Sequence, residues 1–143
     1  MILIDANLLL YAYVRGIPEH DRARGWFEGL LASPQPVRLS WATILAFLRI
    51  VTNPRIFQAP FSIAEACSIV GEWLARPTVS VLEPGERHWA ILSALLLEHH
   101  LRGAEVMDAH LAALAIEHGA TLYTSDKGFA RFAGLRRQHP LER

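Results

Sequence analysis

Three carboxylates in this chain sit where residue type and position together suggest chemistry. Asp5 ends the apolar run Ile2-Leu3-Ile4, and Asp126 ends the segment Ala120 to Thr124 through Ser125. Asp108 falls in the first turn of an apolar helical stretch, Glu105 to His118. The other acids lie mostly on polar helix faces. An acid leaving a buried strand of an open α/β sheet points into the crevice at the carboxyl ends of the strands, where ligands bind. Asp5 also stands where a helix N-cap belongs, and a purely capping role is an equal alternative at that residue. If the strands are parallel, Asp5 and Asp126 emerge on one edge, and Asp108, a whole helix before its strand, starts at that same edge. Like charges held close in a partly buried site repel, so such a cluster needs protonation or a bound cation. Oxygen ligands select a hard ion, Mg²⁺ or Mn²⁺, over zinc. That ion, carrying water, would activate the water for in-line attack on a phosphodiester.

The elements that position these acids are read from periodicity. Ile2 to Ile4 is a buried strand with a helix beyond it. Glu19 to Leu31 has helical spacing at Ala23, Trp26, Phe27, Leu30 and Leu31, Val37 to Ser40 is short and extended, and Trp41 to Val51 is an apolar helix. Pro54 breaks the chain after it. Ser62 with Glu65 three residues on has the form of a capping box opening a helix over Ile63 to Leu74. Val79 to Leu82 reads as a second buried strand, and Glu86 to His100 as a helix with Trp89, Leu92, Leu96 and Leu97 on its apolar side. Glu105 to His118 is the next helix, with Gly119 at its C-terminal cap. Ala120 to Thr124 is a strand, Lys127 to Ala133 a short helical turn, and the basic tail from Gly134 peripheral. Strands alternating with helices predict an α/β domain with a largely parallel sheet covered on both faces.

At 143 residues the chain fits one domain, residues 1–143, and at 52% hydrophobic it can build a core. Fourteen basic residues balance 14 acidic ones, so no global field announces nucleic acid or membrane, and any basic patch must be local. Cys67 stands alone, which excludes an intrachain disulfide and gives no support for a Cys-based zinc site. No signal-like segment or long apolar run is visible. A soluble protein of the reducing cytoplasm is expected.

Other candidates read as structural. His99-His100 suits a helix C-terminus. His110, two residues past Asp108, points off that carboxylate's face toward packing or a hydrogen bond. Trp26, Trp41, Trp73 and Trp89 occupy apolar helical positions and are assigned to core or dimer packing. Arg49 and Arg55 flank the Thr-Asn-Pro turn, and Lys127 and Arg131 follow Asp126; these four are the candidates for holding phosphates. No glycine-rich phosphate loop or G-x-S-x-G elbow is present.

The segments IDANLLLYA, FLRIVTNPRIF, LEPGERHW and DAHLAALAIEHGATLYTSDKGFARF together resemble PIN-domain proteins of the VapC toxin type across nearly the full chain. The resemblance implies a three-layer α/β/α fold with a mostly parallel central sheet. It also implies a Mg²⁺-dependent ribonuclease that cuts structured RNA such as tRNA or rRNA, a cognate VapB-type antitoxin that blocks the site, and a homodimer. By position, Asp5, Asp108 and Asp126 match the family's metal-binding aspartates, and Asn7 the small polar residue that helps position water or substrate. One departure matters: Ala46 precedes Phe47 where such proteins normally carry a glutamate, the second member of the acidic quartet. Its loss removes a direct or water-mediated metal contact and predicts a weakened or inactive nuclease, whether the alanine is natural or introduced to disarm a toxic protein. Gly128, where relatives often have a further acid, is a smaller departure. The competing expectation is a non-catalytic RNA- or protein-binding module that keeps the fold without the chemistry. A third is a PIN nuclease working in RNA processing outside a toxin pair.

Overall fold

The computed structural model describes residues 1–142. Strand β1 (Ile2–Ile4) is fully buried, and its alternating side chains feed two cores. Ile2 and Ile4 pack with helices α1 (Ala6–Tyr13), α2 (His20–Ala32), α3 (Trp41–Val51) and α4 (Ile63–Leu74). Leu3 packs on the opposite face with α5 (His88–Glu98) and α6 (Glu105–His118). A strand buried on both faces must be continuously apolar, which is why Ile2-Leu3-Ile4 shows no alternation.

The sheet has the order β3-β2-β1-β4-β5, with β2 (Val37–Leu39), β3 (Val79–Val81), β4 (Thr121–Tyr123) and β5 (Arg137–Gln138), and every pairing is parallel. The expected three-layer α/β/α architecture with a parallel central sheet is therefore the observed one. Local signals hold where their chemistry is local. Ser62 and Glu65 close the capping box, with Ser62 N–H donating to the Glu65 carboxylate at 3.0 Å and Glu65 N–H to Ser62 Oγ at 3.1 Å. Gly119 ends α6 at φ 65°, a left-handed conformation glycine adopts without steric cost.

Three readings need correction. Strand β3 is not buried throughout: it is an edge strand, and Ser80 is exposed. Helix α5 starts at His88, two residues later than the expected Glu86, and its inward side is His88 and Leu95, backed by Ile91, Leu92 and Leu96. Trp89 and Leu97 face outward instead, 71% and 75% exposed. The tail is not peripheral either. It adds β5 beside β4, and Leu141 enters the core under α2, where Arg22 donates to the Leu141 carbonyl at 2.9 Å. Of the tryptophans, Trp73 is core and donates to Tyr13 Oη at 2.8 Å, Trp26 stacks on Tyr123, and Trp41 and Trp89 are exposed.

Candidate active site

The parallel pairing of β1 with β4 places Ile4 opposite Tyr123 and lets the Asp5 N–H donate to the Tyr123 carbonyl at 3.0 Å. Asp5 and Thr124 consequently leave the sheet side by side. The Thr124 hydroxyl donates to Asp5 Oδ2 at 2.7 Å and accepts the Asp126 N–H at 3.0 Å, so one buried hydroxyl ties two of the three acids to the same strand end. Asp5 is also the N-cap of α1, its Oδ1 accepting from Ala6 N–H at 2.7 Å. Capping and a site role thus coexist at one carboxylate, each using a different oxygen. Asp126 caps the 3₁₀ turn Lys127–Arg131 through Gly128 N–H at 2.8 Å. Asp108 comes to this edge because α6 runs back across the sheet before β4, which puts the first turn of α6 at the carboxyl ends of the strands.

The three acids share a field. Burial raises the Asp5 carboxyl above its ordinary range, the Thr124 and Ala6 hydrogen bonds oppose this, and the charges of Asp108 and Asp126 push it further up. Asp108 is raised by burial and by Asp126, against the pull of Arg131. This guanidinium approaches Asp108 Oδ2 at 3.4 Å and Glu105 Oε2 at 3.7 Å. Asn7, in the first turn of α1, has a buried Oδ1 with no hydrogen-bond partner.

These features bear on whether the residues suit a divalent cation. The donors are all oxygen, as Mg²⁺ or Mn²⁺ requires. Two carboxyls resist ionisation, and an unpartnered amide oxygen lies two residues from Asp5. Among the described residues no three acid, imidazole or thiol groups already close around one point. The set fits in chemistry and is open in arrangement, with Asp108 engaged by Arg131.

The other sequence candidates are distributed differently. Ala46 is half-buried on α3, which begins at the same sheet edge after Ser40, and its methyl brings no carboxylate there. Arg49 is exposed in the last turn of α3, about 12 Å along the axis from Trp41. Arg55 is exposed in the turn after that helix. Lys127 is exposed directly after Asp126, where with Tyr11, Arg22, Ser125 and His139 it lines a polar cavity of about 430 Å³. His110 makes the hydrogen bond expected of it, Nδ1 to His88 Nε2 at 3.0 Å, and burial with the His88 neighbour lowers its pKa. Thr124, Glu105 and the Arg131–Asp108 pairing were not singled out from sequence. The T-S-D spacing could have flagged Thr124, because a hydroxyl two residues before an aspartate can accept its N–H.

A parallel sheet whose carboxyl edge gathers aspartates from two strand ends and one helix start defines the class. Residues 2–135 match the PIN domain family, and the chain belongs to it, in the VapC branch. It is 41% identical over 142 residues to VapC ribonuclease Mb2897 of Mycobacterium bovis, covering 99% of this chain and 97% of that one. Its fold is shared with Mycobacterium tuberculosis VapC20, a Sarcin-Ricin loop cleaving toxin, at a TM-score of 0.70 and 18% identity over 94% of this chain and 96% of that one. It is shared too with VapBC2 from Rickettsia felis bound to a DNA fragment from their promoter, at 0.67 and 20% over 96% and 98%.

Proposed function

We propose that this chain is the toxin of a VapBC-type pair, an endoribonuclease that uses Mg²⁺ or Mn²⁺ and cuts tRNA or rRNA in the cytoplasm. The observation that carries the reading is the convergence of Asp5, Asp108 and Asp126 at one sheet edge, with Asp5 and Asp108 both held above the ordinary carboxylate range. Those three aspartates would hold the cation, which when bound supplies an activated water and offsets charge developing on the phosphodiester. Thr124 fixes the orientation of Asp5 and the backbone of Asp126. Asn7 Oδ1 has the free lone pairs to orient a water or a substrate hydroxyl. Lys127, exposed beside Asp126, supplies a positive charge for a neighbouring RNA phosphate; Arg49, at the far end of α3, serves at most a distal one.

The antitoxin belongs to the same reading. Helices α1, α2 and α4 and the connection at residues 57–61 enclose a cleft of about 930 Å³. Its floor is apolar, with Phe27, Val51, Phe61 and Ile69, and its rim carries Arg24, Glu28 and Glu72. That pattern suits an amphipathic helix laid in a groove. A homodimer is also part of the proposal, and the outward Trp89 and Leu97 give α5 an apolar stripe for a second copy.

Ala46 favours a second reading, a binding module without catalysis, because the fourth carboxylate is missing. The deciding experiment compares this chain with its Ala46→Glu variant on total tRNA and rRNA, with Mg²⁺, with Mn²⁺ and with EDTA. Metal-dependent cleavage by the variant, with at least tenfold less by this chain, is the expected result. Cleavage by neither protein transfers the argument to the binding module.

A further inference from the structure

We propose that Arg131 is a built-in counter-ion that competes with the divalent cation for Asp108 and is released when an RNA phosphate takes its guanidinium. The proposal rests on the reading of Asp5, Asp108 and Asp126 as the cation site. Arg131 ends the 3₁₀ turn that Asp126 caps, and it reaches back to the first turn of α6, where Glu105 and Asp108 stand three residues apart on one face. Its nitrogens lie 3.4 Å from Asp108 Oδ2 and 3.7 Å from Glu105 Oε2, longer than the ~2.7–2.9 Å of a tight charge-assisted bond. The Nε–H is buried and makes no hydrogen bond, and the guanidinium carbon lies 4.8 Å from the centre of the Phe132 ring. A Cβ at Gly128 would lie 3.1 Å from Asp126 Oδ1 and 3.4 Å from Arg131 Nη1, so this turn brings the backbone close to both side chains.

These contacts describe a cation held by several incomplete partners rather than locked into one. A structural arginine would be expected to form the paired, in-plane fork that a carboxylate accepts. Arg131 instead covers two carboxylates loosely and leaves one donor unused, while its side chain keeps 29% of its surface exposed. A divalent ion seeks the same Asp108 oxygen, so the two cations exclude each other there. A phosphodiester offers the guanidinium two oxygens at once, including a partner for the orphaned Nε–H. RNA binding therefore frees Asp108, and cation loading and substrate binding reinforce each other, a coupling that must be reciprocal. The free protein stays poorly loaded.

Isothermal titration with Mn²⁺ tests this on the full chain and on Arg131→Met, which keeps a stem over Phe132 and drops the charge. Without nucleic acid the variant should bind Mn²⁺ about two- to fivefold more tightly, the size expected for removing a partly exposed competing charge. With a phosphorothioate oligoribonucleotide present, Mn²⁺ affinity should rise in the parent chain and stay unchanged in Arg131→Met. Arg131→Lys, which keeps the charge without the fork, should fall between the two and guards against a packing artefact. Equal or weaker Mn²⁺ binding by Arg131→Met overturns the proposal, as does a gain with oligoribonucleotide that survives in that variant. Asp108→Asn separates the two readings. If it abolishes Mn²⁺ binding while Arg131→Met changes nothing, the cation site stands and only the counter-ion role falls. If no protein in the set binds Mn²⁺, both fall.

Discussion

Thr124→Val isolates the hydroxyl that links the acids. Thr124 is 3% exposed, and its Oγ1 makes two hydrogen bonds, donating to Asp5 Oδ2 and accepting from Asp126 N–H. Valine keeps the branched shape and removes both. A hydrogen bond to a charged group is worth about 1.5–3 kcal/mol, and the stranded Asp126 N–H adds its own desolvation cost. The carboxyl relieves part of the loss by taking a proton, since the Thr124 bond is the largest influence holding its pKa down. The net expectation is about 2–3 kcal/mol, a fall in Tm of roughly 6–12 °C for a domain of this size. Thermal melts at neutral pH in EDTA would measure it, with Thr124→Ser as the control that restores the hydroxyl. Mn²⁺ affinity should fall in the valine variant and not in the serine one. A valine variant melting within about 2 °C of the parent, or no lower than the serine variant, would refute the assignment of Thr124 as the hydroxyl that links the acids.

Two further outcomes follow from the same geometry. Because Asp5 and Asp108 are raised in the folded chain, that state keeps protons the unfolded chain releases, so their contribution to stability is full below the ordinary carboxylate pKa and is lost as pH rises through the folded values. Melts in EDTA should show Asp5→Asn flattening this dependence, whatever the offset in Tm from the hydrogen bond its amide nitrogen cannot accept; a pH dependence equal to the parent's would contradict it. Leu141→Ala should cost about 2–3 kcal/mol in urea unfolding, since Leu141 is 6% exposed in the core, and a change under 0.5 kcal/mol would return the tail to the periphery.

What could be read from sequence divides along local and non-local contacts. The helices over Trp41 to Val51, Ile63 to Leu74 and Glu105 to His118 were legible because their caps and periodicity lie within a few residues, as at Ser62–Glu65 and Gly119. The acids were legible because each ends or begins an element that topology alone sends to one edge. Strand β5 was not, because Arg137 and Gln138 are both exposed and two residues carry no period. The outward face of α5 was misread because the helix is apolar almost all round, and only its packing on α6 decides which side is in. The His88–His110 contact spans 22 residues, Asp5–Thr124 spans 119 and Arg131–Asp108 spans 23, and none has a spacing rule.

Those long-range contacts explain how the chain tolerates its clustered acids. Parallel pairing of β1 with β4 and the return of α6 bring three carboxylates to one sheet edge within reach of each other's charge, and burial raises two of them further. Thr124 offsets part of that rise by holding Asp5 through one oxygen while the α1 N-terminus holds the other. Arg131 offsets part of it at Asp108, yet leaves that carboxyl still raised. A fold selected only for stability would replace one of these aspartates with a neutral residue. Keeping all three while the helix carrying Ala46 packs normally against its core through Phe47 indicates that the scaffold does not depend on a carboxylate at position 46. Restoring one by Ala46→Glu should therefore leave the fold intact and change mainly the charge available for a cation, which is why that variant discriminates between a disarmed nuclease and a binding module.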